Sequence, residues 1–365
     1  MELPEVKKLN TKNLSRIFDS TTESYKFFWF GSLLNKIIEG RDEISFEEII
    51  CDMISSAWYM VSEYHLNLCP KDTMENLILS LKETIDLKSN EKKEDIISFL
   101  TSTKDKEIES KKKRLANEVP YRMQSTFLSL SSSDWQKGSV KRIELINKHE
   151  GLIYTFSAFS GLSTTILVNK DWADYIRSNA SFLEGWYKFS LISYLQKRNP
   201  SVPGIPDKLS PPMERKLSDV TLFWKDMIQI QTIREIYQDK TLDTSDISID
   251  HFIPWSYTAS DEFWNLTPTT KSINSSKGNS LPSWEKFFPK LSEMEYLVYS
   301  TITTYPQIRD RFEKIAPKHF SSLEEKEKLF GRKNMDERVF SHTLQDILEP
   351  QYKAAENCGF ALWEM

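Results

Sequence analysis

Residues 247–282 read ISIDHFIPWSYTASDEFWNLTPTTKSINSSKGNSLP, and the order of elements in this stretch decides the reading of the chain. Ile247 and Ile249 alternate with Ser248 and Asp250, a period-two pattern that predicts a short half-buried strand ending near His251. Pro254 stops regular pairing. The polar run Thr258 to Glu262 predicts a turn, and Phe263-Trp264-Asn265-Leu266 a returning strand. Pro268 and Thr269 are expected to open a helix through Lys271, Ile273, Asn274 and Lys277, with Gly278 as its stop. The expected unit is strand, hairpin loop, strand, helix.

The polar residues of this unit suit one chemistry. Hydrolysis of a phosphodiester needs a group that takes a proton from water and a cation that neutralises charge growing on the phosphoryl oxygens. Histidine titrates near neutrality, so His251 can accept the proton. Asp250 and Asn274 offer the hard oxygen ligands that Mg2+ prefers, with Mn2+ as the alternative, and this cation keeps several waters, so two protein oxygens suffice. Asn274 and Lys277, three apart, share one helix face.

The stretch resembles the HNH endonuclease family, also called the ββα-metal or His-Me finger group, in its Asp-His form. It carries Asp250-His251, then Asn265 in a Trp-Asn-Leu triplet, then Asn274 in Asn-x-x-Lys-Gly. The resemblance implies Asp250 and Asn274 as metal ligands, His251 as general base, and Asn265 as the residue that orients the base and braces the loop. Lys277 matches a basic position of the closing helix, and Lys277 and Lys271 are candidate contacts to substrate phosphate, a plain solvated helix surface being the alternative. Many relatives brace the motif with zinc held by paired Cys-x-x-Cys, whereas Cys51, Cys69 and Cys358 are scattered and far from it. No structural zinc is expected; Trp255, Tyr257, Phe263, Trp264, Leu266, Trp284, Phe287 and Phe288 would supply an aromatic core instead.

The 365 residues can form two or three compact units, and a 39% hydrophobic content fills real cores. No apolar run is long enough to cross a membrane, the start lacks a secretory stretch, and three lone cysteines suit a reducing compartment, so a cytoplasmic protein is expected. A net charge of -5 argues against indiscriminate coating of nucleic acid. Lys271, Lys277, Lys286 and Lys290 still make the motif locally basic. No phosphate-cradling glycine loop is present, so ATP hydrolysis by the chain itself is not expected.

Upstream the chain reads as helical. Glu23 to Glu39 carries a broad apolar face and stops at Gly40, and Ser45 with Glu48 forms a capping-box spacing that launches a second helix. A third runs from Asp72 to about Leu87, and Lys88 to Arg114 is read as a linker or solvated helices whose cluster Lys111 to Arg114 faces solvent. Gly151 to Phe156 and Thr164 to Val168 read as strands, followed by a helix from Leu183 to Gln196 and a proline-rich loop from Pro200 to Pro212. Within that loop's neighbourhood, Arg198 and Lys208 are candidate DNA contacts, a rigid surface linker being the preferred reading. Leu291 to Tyr305, Leu323 to Phe330 and Met335 to Asn357 read as helices. His65, His149, His319 and His342 are read as structural.

The expected fold is therefore mainly α with a small α+β part. A helical N-terminal region for partner or substrate recognition covers 1–115, a mixed α/β middle region with a short β segment covers 116–200, and a ββα-metal (HNH) module packed by helices covers 201–365. The resemblance implies a metal-dependent endonuclease acting on DNA, placed among restriction or anti-phage defence effectors beside a sensor or ATPase partner. Cleavage of RNA, or a nuclease active only in complex with that partner, are the alternatives.

Overall fold

A computed structural model describes residues 2–211 and 217–364. The protein is mainly α-helical with small antiparallel sheets. It divides into two compact units, Met1–Pro200 with Lys208–Pro211 and Ser201–Asp207 with Pro212–Met365. The expected proline-rich loop spans this boundary, and its last residue, Pro212, lies outside the described residues. Among the described residues no helix is long and apolar enough to cross a membrane.

The first unit is built on the helix Tyr25–Ile38, in which Phe27, Phe28, Trp29, Phe30, Leu33, Leu34 and Ile37 are all buried. A helix apolar on most of its circumference has to be enclosed, and the helices Phe46–Ser62, Lys170–Ser178 and Ala180–Arg198 pack on it. Ser45 caps Phe46–Ser62: its hydroxyl accepts from Glu48 N (3.2 Å) while Glu48 Oε2 accepts from Ser45 N (2.8 Å). Strand β1 (Glu43–Ser45), just before this cap, pairs with β3 (Thr165–Val168), which also pairs with β2 (Tyr154–Phe156). Ile166 lies opposite both Ile44 and Phe156, so three buried apolar side chains set the register.

The charged stretch after residue 88 folds as two helices, Lys93–Ser102 and Lys106–Leu115. Lys112, expected on a solvated face, is fully buried. It donates to Glu47 (2.7 Å), Glu109 (2.6 Å) and the Leu100 carbonyl (2.9 Å). Burial pulls its pKa down, but the two carboxylates outweigh it and hold the ammonium above its ordinary value. Lys208 is likewise fully buried over the Tyr64 ring. Arg198 donates to the Thr22 carbonyl (2.5 Å) and covers Tyr194. Lys208 is therefore held inside the first unit's own structure rather than offered to DNA, whereas Arg198 stays half-buried at the surface.

The second unit surrounds a hairpin of β4 (Ser248–His251) and β5 (Leu266–Thr269), closed by the helix Lys271–Lys277. The returning strand begins later than expected. Phe263–Asn265 form a 3-10 turn, and Pro268 lies within β5 opposite Ile249 rather than at the helix start. A two-stranded sheet tolerates this because each strand is an edge, where a missing N–H need cost no ladder bond. Thr270 caps the helix instead, its hydroxyl accepting from Ile273 N (3.3 Å). The helices Ser218–Ile230, Trp284–Thr304, Pro306–His319 and Glu337–Asn357 enclose the hairpin. Their aromatic side chains meet Phe263, which packs against Phe223, Phe312, Phe320 and Phe330. Trp363 N donates to the Leu281 carbonyl (2.7 Å) and Leu281 N to the Ala361 carbonyl (2.8 Å), which fixes the chain just after the motif.

Candidate active site

Successive residues of a regular strand point to opposite faces, yet Asp250 and His251 line one cavity of about 400 Å³ together with Ile249, Pro254, Trp255 and Asn274. The strand ends at His251, and the turn that follows makes this convergence available. Asn265 holds the turn. Its Oδ1 accepts from Ile253 N (2.7 Å), its Nδ2 donates to Ile253 O (2.9 Å), and its own carbonyl accepts from Phe252 N (2.9 Å). A fully buried amide that satisfies both backbone groups of one residue is a loop brace.

Asp250 is 3% exposed. Its Oδ2 accepts from the Tyr237 hydroxyl (2.5 Å) and its Oδ1 from Lys277 Nζ (3.1 Å). Lys277 also donates to the His251 carbonyl (2.7 Å) and has a fully buried side chain. Sequence reading had this lysine on substrate phosphate; its ammonium is instead committed to Asp250 and to the strand end. Burial lowers its pKa, with the Asp250 charge pulling back. Burial together with the same carboxylate raises the Tyr237 phenol well above its ordinary value. Lys271, at the exposed start of the closing helix, remains open to solvent.

Asn274 Nδ2 donates to Ser248 Oγ (2.8 Å) and to the Ile249 carbonyl (3.0 Å). With the amide nitrogen tied to β4, Oδ1 is the atom it has left for a cation. Asp250 and Asn274 thus bring oxygen donors to one cavity. Each Asp250 oxygen already accepts one hydrogen bond and has a second lone pair to give. This sparse, hard donor set fits Mg2+ or Mn2+. Among the described residues no group of three or more His, Cys, Asp and Glu side chains is placed to hold a metal ion.

His251 Nε2 lies 2.8 Å from Asp261 Oδ1. A carboxylate only accepts, so Nε2 carries the proton and Nδ1 the lone pair in the neutral ring. Asp261 belongs to the turn between the strands and is in turn contacted by His319, whose Nδ1 is 2.8 Å from the Asp261 carbonyl. Asp261, Tyr237 and His319 escaped sequence reading. The polar turn gave a signal for Asp261, whereas Tyr237 and His319 lie 13 and 68 residues from the Asp250-His251 pair and carry none.

The ββα hairpin thus gathers a histidine, a carboxylate and an amide oxygen at one strand end. Residues 232–283 match the family of HNH endonucleases, which makes this segment an HNH endonuclease domain and supports nuclease activity at the level of the family. No match is found among curated proteins or among solved structures.

Proposed function

We propose that the protein is a metal-dependent endonuclease that hydrolyses DNA phosphodiesters, with His251 as general base and Asp250 and Asn274 as ligands of Mg2+ or Mn2+. The observation that carries this reading is the convergence of these three side chains on one cavity at the end of β4. His251 takes the proton of water at Nδ1 as the water oxygen bonds to phosphorus, and the 3′ oxygen leaves with the electron pair of the broken P–O bond. A cation held by Asp250 and Asn274 would neutralise the charge that grows on the phosphoryl oxygens. Tyr237 and Lys277 hold the Asp250 carboxylate in place, and Asn265 fixes the turn that follows the base. The products carry 5′-phosphate and 3′-hydroxyl ends. The family resemblance further supports a defence or restriction effector in the cytoplasm, with the first unit meeting a sensor or ATPase partner.

The test is cleavage of supercoiled plasmid, linear duplex, single-stranded DNA and RNA in Mg2+, Mn2+ or EDTA, beside His251→Ala. Metal-dependent cutting of DNA that disappears in the variant is the expected result. A variant as active as the parent removes His251 from the role of base, and cutting of RNA alone replaces the substrate.

A further inference from the structure

The turn that holds Asp261 is anchored from outside the matched segment. Four hydrogen bonds, from three donors, tie residues 261–264 to residues 319–325. His319 meets the Asp261 carbonyl (2.8 Å), both Glu262 oxygens accept from Ser321 N (3.2 and 3.1 Å), and Trp264 Nε1 donates to Glu325 Oε2 (3.2 Å). His319 is 5% exposed, and its Nε2 lies 3.3 Å from Asp219 Oδ1 at the start of the helix Ser218–Ile230. Lys318 donates to the other Asp219 oxygen (3.0 Å). Burial pulls the Asp219 carboxyl up, but Lys318 and His319 outweigh it and hold it below its ordinary value, so it is a lasting acceptor.

We propose that Asp261 is a positioning residue for the general base, and that His319, backed by Asp219, fixes the turn from which Asp261 acts. Without the carboxylate, neutral His251 loses the acceptor that holds its proton on Nε2, so part of the population carries the proton on Nδ1 and has no lone pair there for water. With it, one tautomer and one ring orientation are held. A loop side chain alone does this poorly, because a turn samples alternatives that displace its carboxylate. The bond from His319 removes that freedom at the backbone of Asp261 itself. Three residues beyond the HNH pair, on the turn and on two helices that the family segment does not include, thereby become part of the catalytic apparatus. This inference rests on His251 being the base.

Two readouts separate its failure from failure of that reading. The first needs no activity: with 15N-labelled histidine, the five histidines are few enough to assign, and the ring nitrogen shifts of His251 report its tautomer. The parent protein should show the Nε2–H form, Asp261→Ala a mixture, His319→Ala a partial mixture, and His319→Asn recovery, because the Asn amide reaches the Asp261 carbonyl from the place of Nδ1. The second is single-turnover cleavage at saturating enzyme. Asp261→Ala should slow it at least tenfold, within the roughly 10²–10⁴ that a general base contributes, with substrate Kd changed less than twofold. His319→Ala should slow it less and His319→Asn restore it. A His251 tautomer unchanged in Asp261→Ala, or a loss confined to Kd, overturns the proposal. Undiminished cleavage by His251→Ala, with the tautomer responding as stated, overturns the base assignment instead.

Discussion

Lys277 shows how far a residue's meaning depends on where its neighbours come to rest. In sequence it is one basic residue in a helix ending at glycine; in the fold its ammonium closes a buried pair with Asp250 27 residues away. Removing one partner of a buried ion pair costs more than the pair contributes, because the survivor is left desolvated. Lys277→Met should therefore destabilise the protein by about 3–5 kcal/mol, measured by urea unfolding in EDTA. A change below about 1 kcal/mol, the range of exposed pairs, would show that Asp250 is solvated in the variant. Tyr237 retains its bond to the other oxygen, so the carboxylate should keep much of its orientation. Lys112 and Lys208 teach the same lesson. Their charge suggested solvent or DNA, but Glu47 for one and the Tyr64 ring for the other are brought to them only by tertiary packing.

Local chemistry was legible wherever both ends of an interaction lie within one turn of chain. Ser45 and Glu48 form the capping box read from their spacing, and Gly40, at φ +90, ends the preceding helix in a conformation that favours glycine. Asp250, His251 and Asn274, singled out by their order along the motif, are brought to one cavity, and Asn265 holds the turn beside it; their roles remain those proposed above. What stayed hidden was set at a distance. Strand β1 is three residues long and gains its identity only from β3, more than a hundred residues on. The helix Pro306–His319 carries an apolar stripe at helical spacing in Ile308, Phe312, Ile315 and Ala316, but that it delivers His319 to the turn is set only by tertiary packing. Pro268 misled because proline is as acceptable on an edge strand as at a helix start. Two substitutions test the element-level account. Ser45→Ala should cost about 1 kcal/mol in thermal unfolding, and no measurable loss would mean that the Glu48 carboxylate, held by Arg41, suffices at this helix start. Gly31→Ala should cost about 1–3 kcal/mol, since its methyl would sit 2.4 Å from the Tyr187 hydroxyl and 2.5 Å from the ring carbon that bears it. Replacing Tyr187 by Leu in the same chain should return part of that loss, and a double variant no more stable than Gly31→Ala would place the strain elsewhere.

At the scale of the molecule, the helices that enclose the nuclease module carry one group at odds with their apolar packing. Glu295 lies on Trp284–Thr304, fully buried, and neither of its oxygens meets a hydrogen-bond donor among the described residues. Burial alone raises its pKa well above the ordinary glutamate value, so the fold favours the neutral acid. In the unfolded chain the same group ionises near pH 4.3. Below that value both states bind the proton and Glu295 imposes no ionisation cost. Above it the unfolded state releases a proton that the folded state keeps, so stability falls by up to about 1.4 kcal/mol per pH unit until the folded pKa is passed. Glu295→Leu removes this contribution. The variant should match the parent most closely in mild acid and exceed it by a margin that widens from about pH 5 upward, read as the difference between the two urea midpoints across a pH series. A margin that does not change with pH would mean that Glu295 ionises as readily in the fold as in the unfolded chain, through a charge partner or water. A widening margin would make the enclosure around the HNH hairpin weakest in alkali.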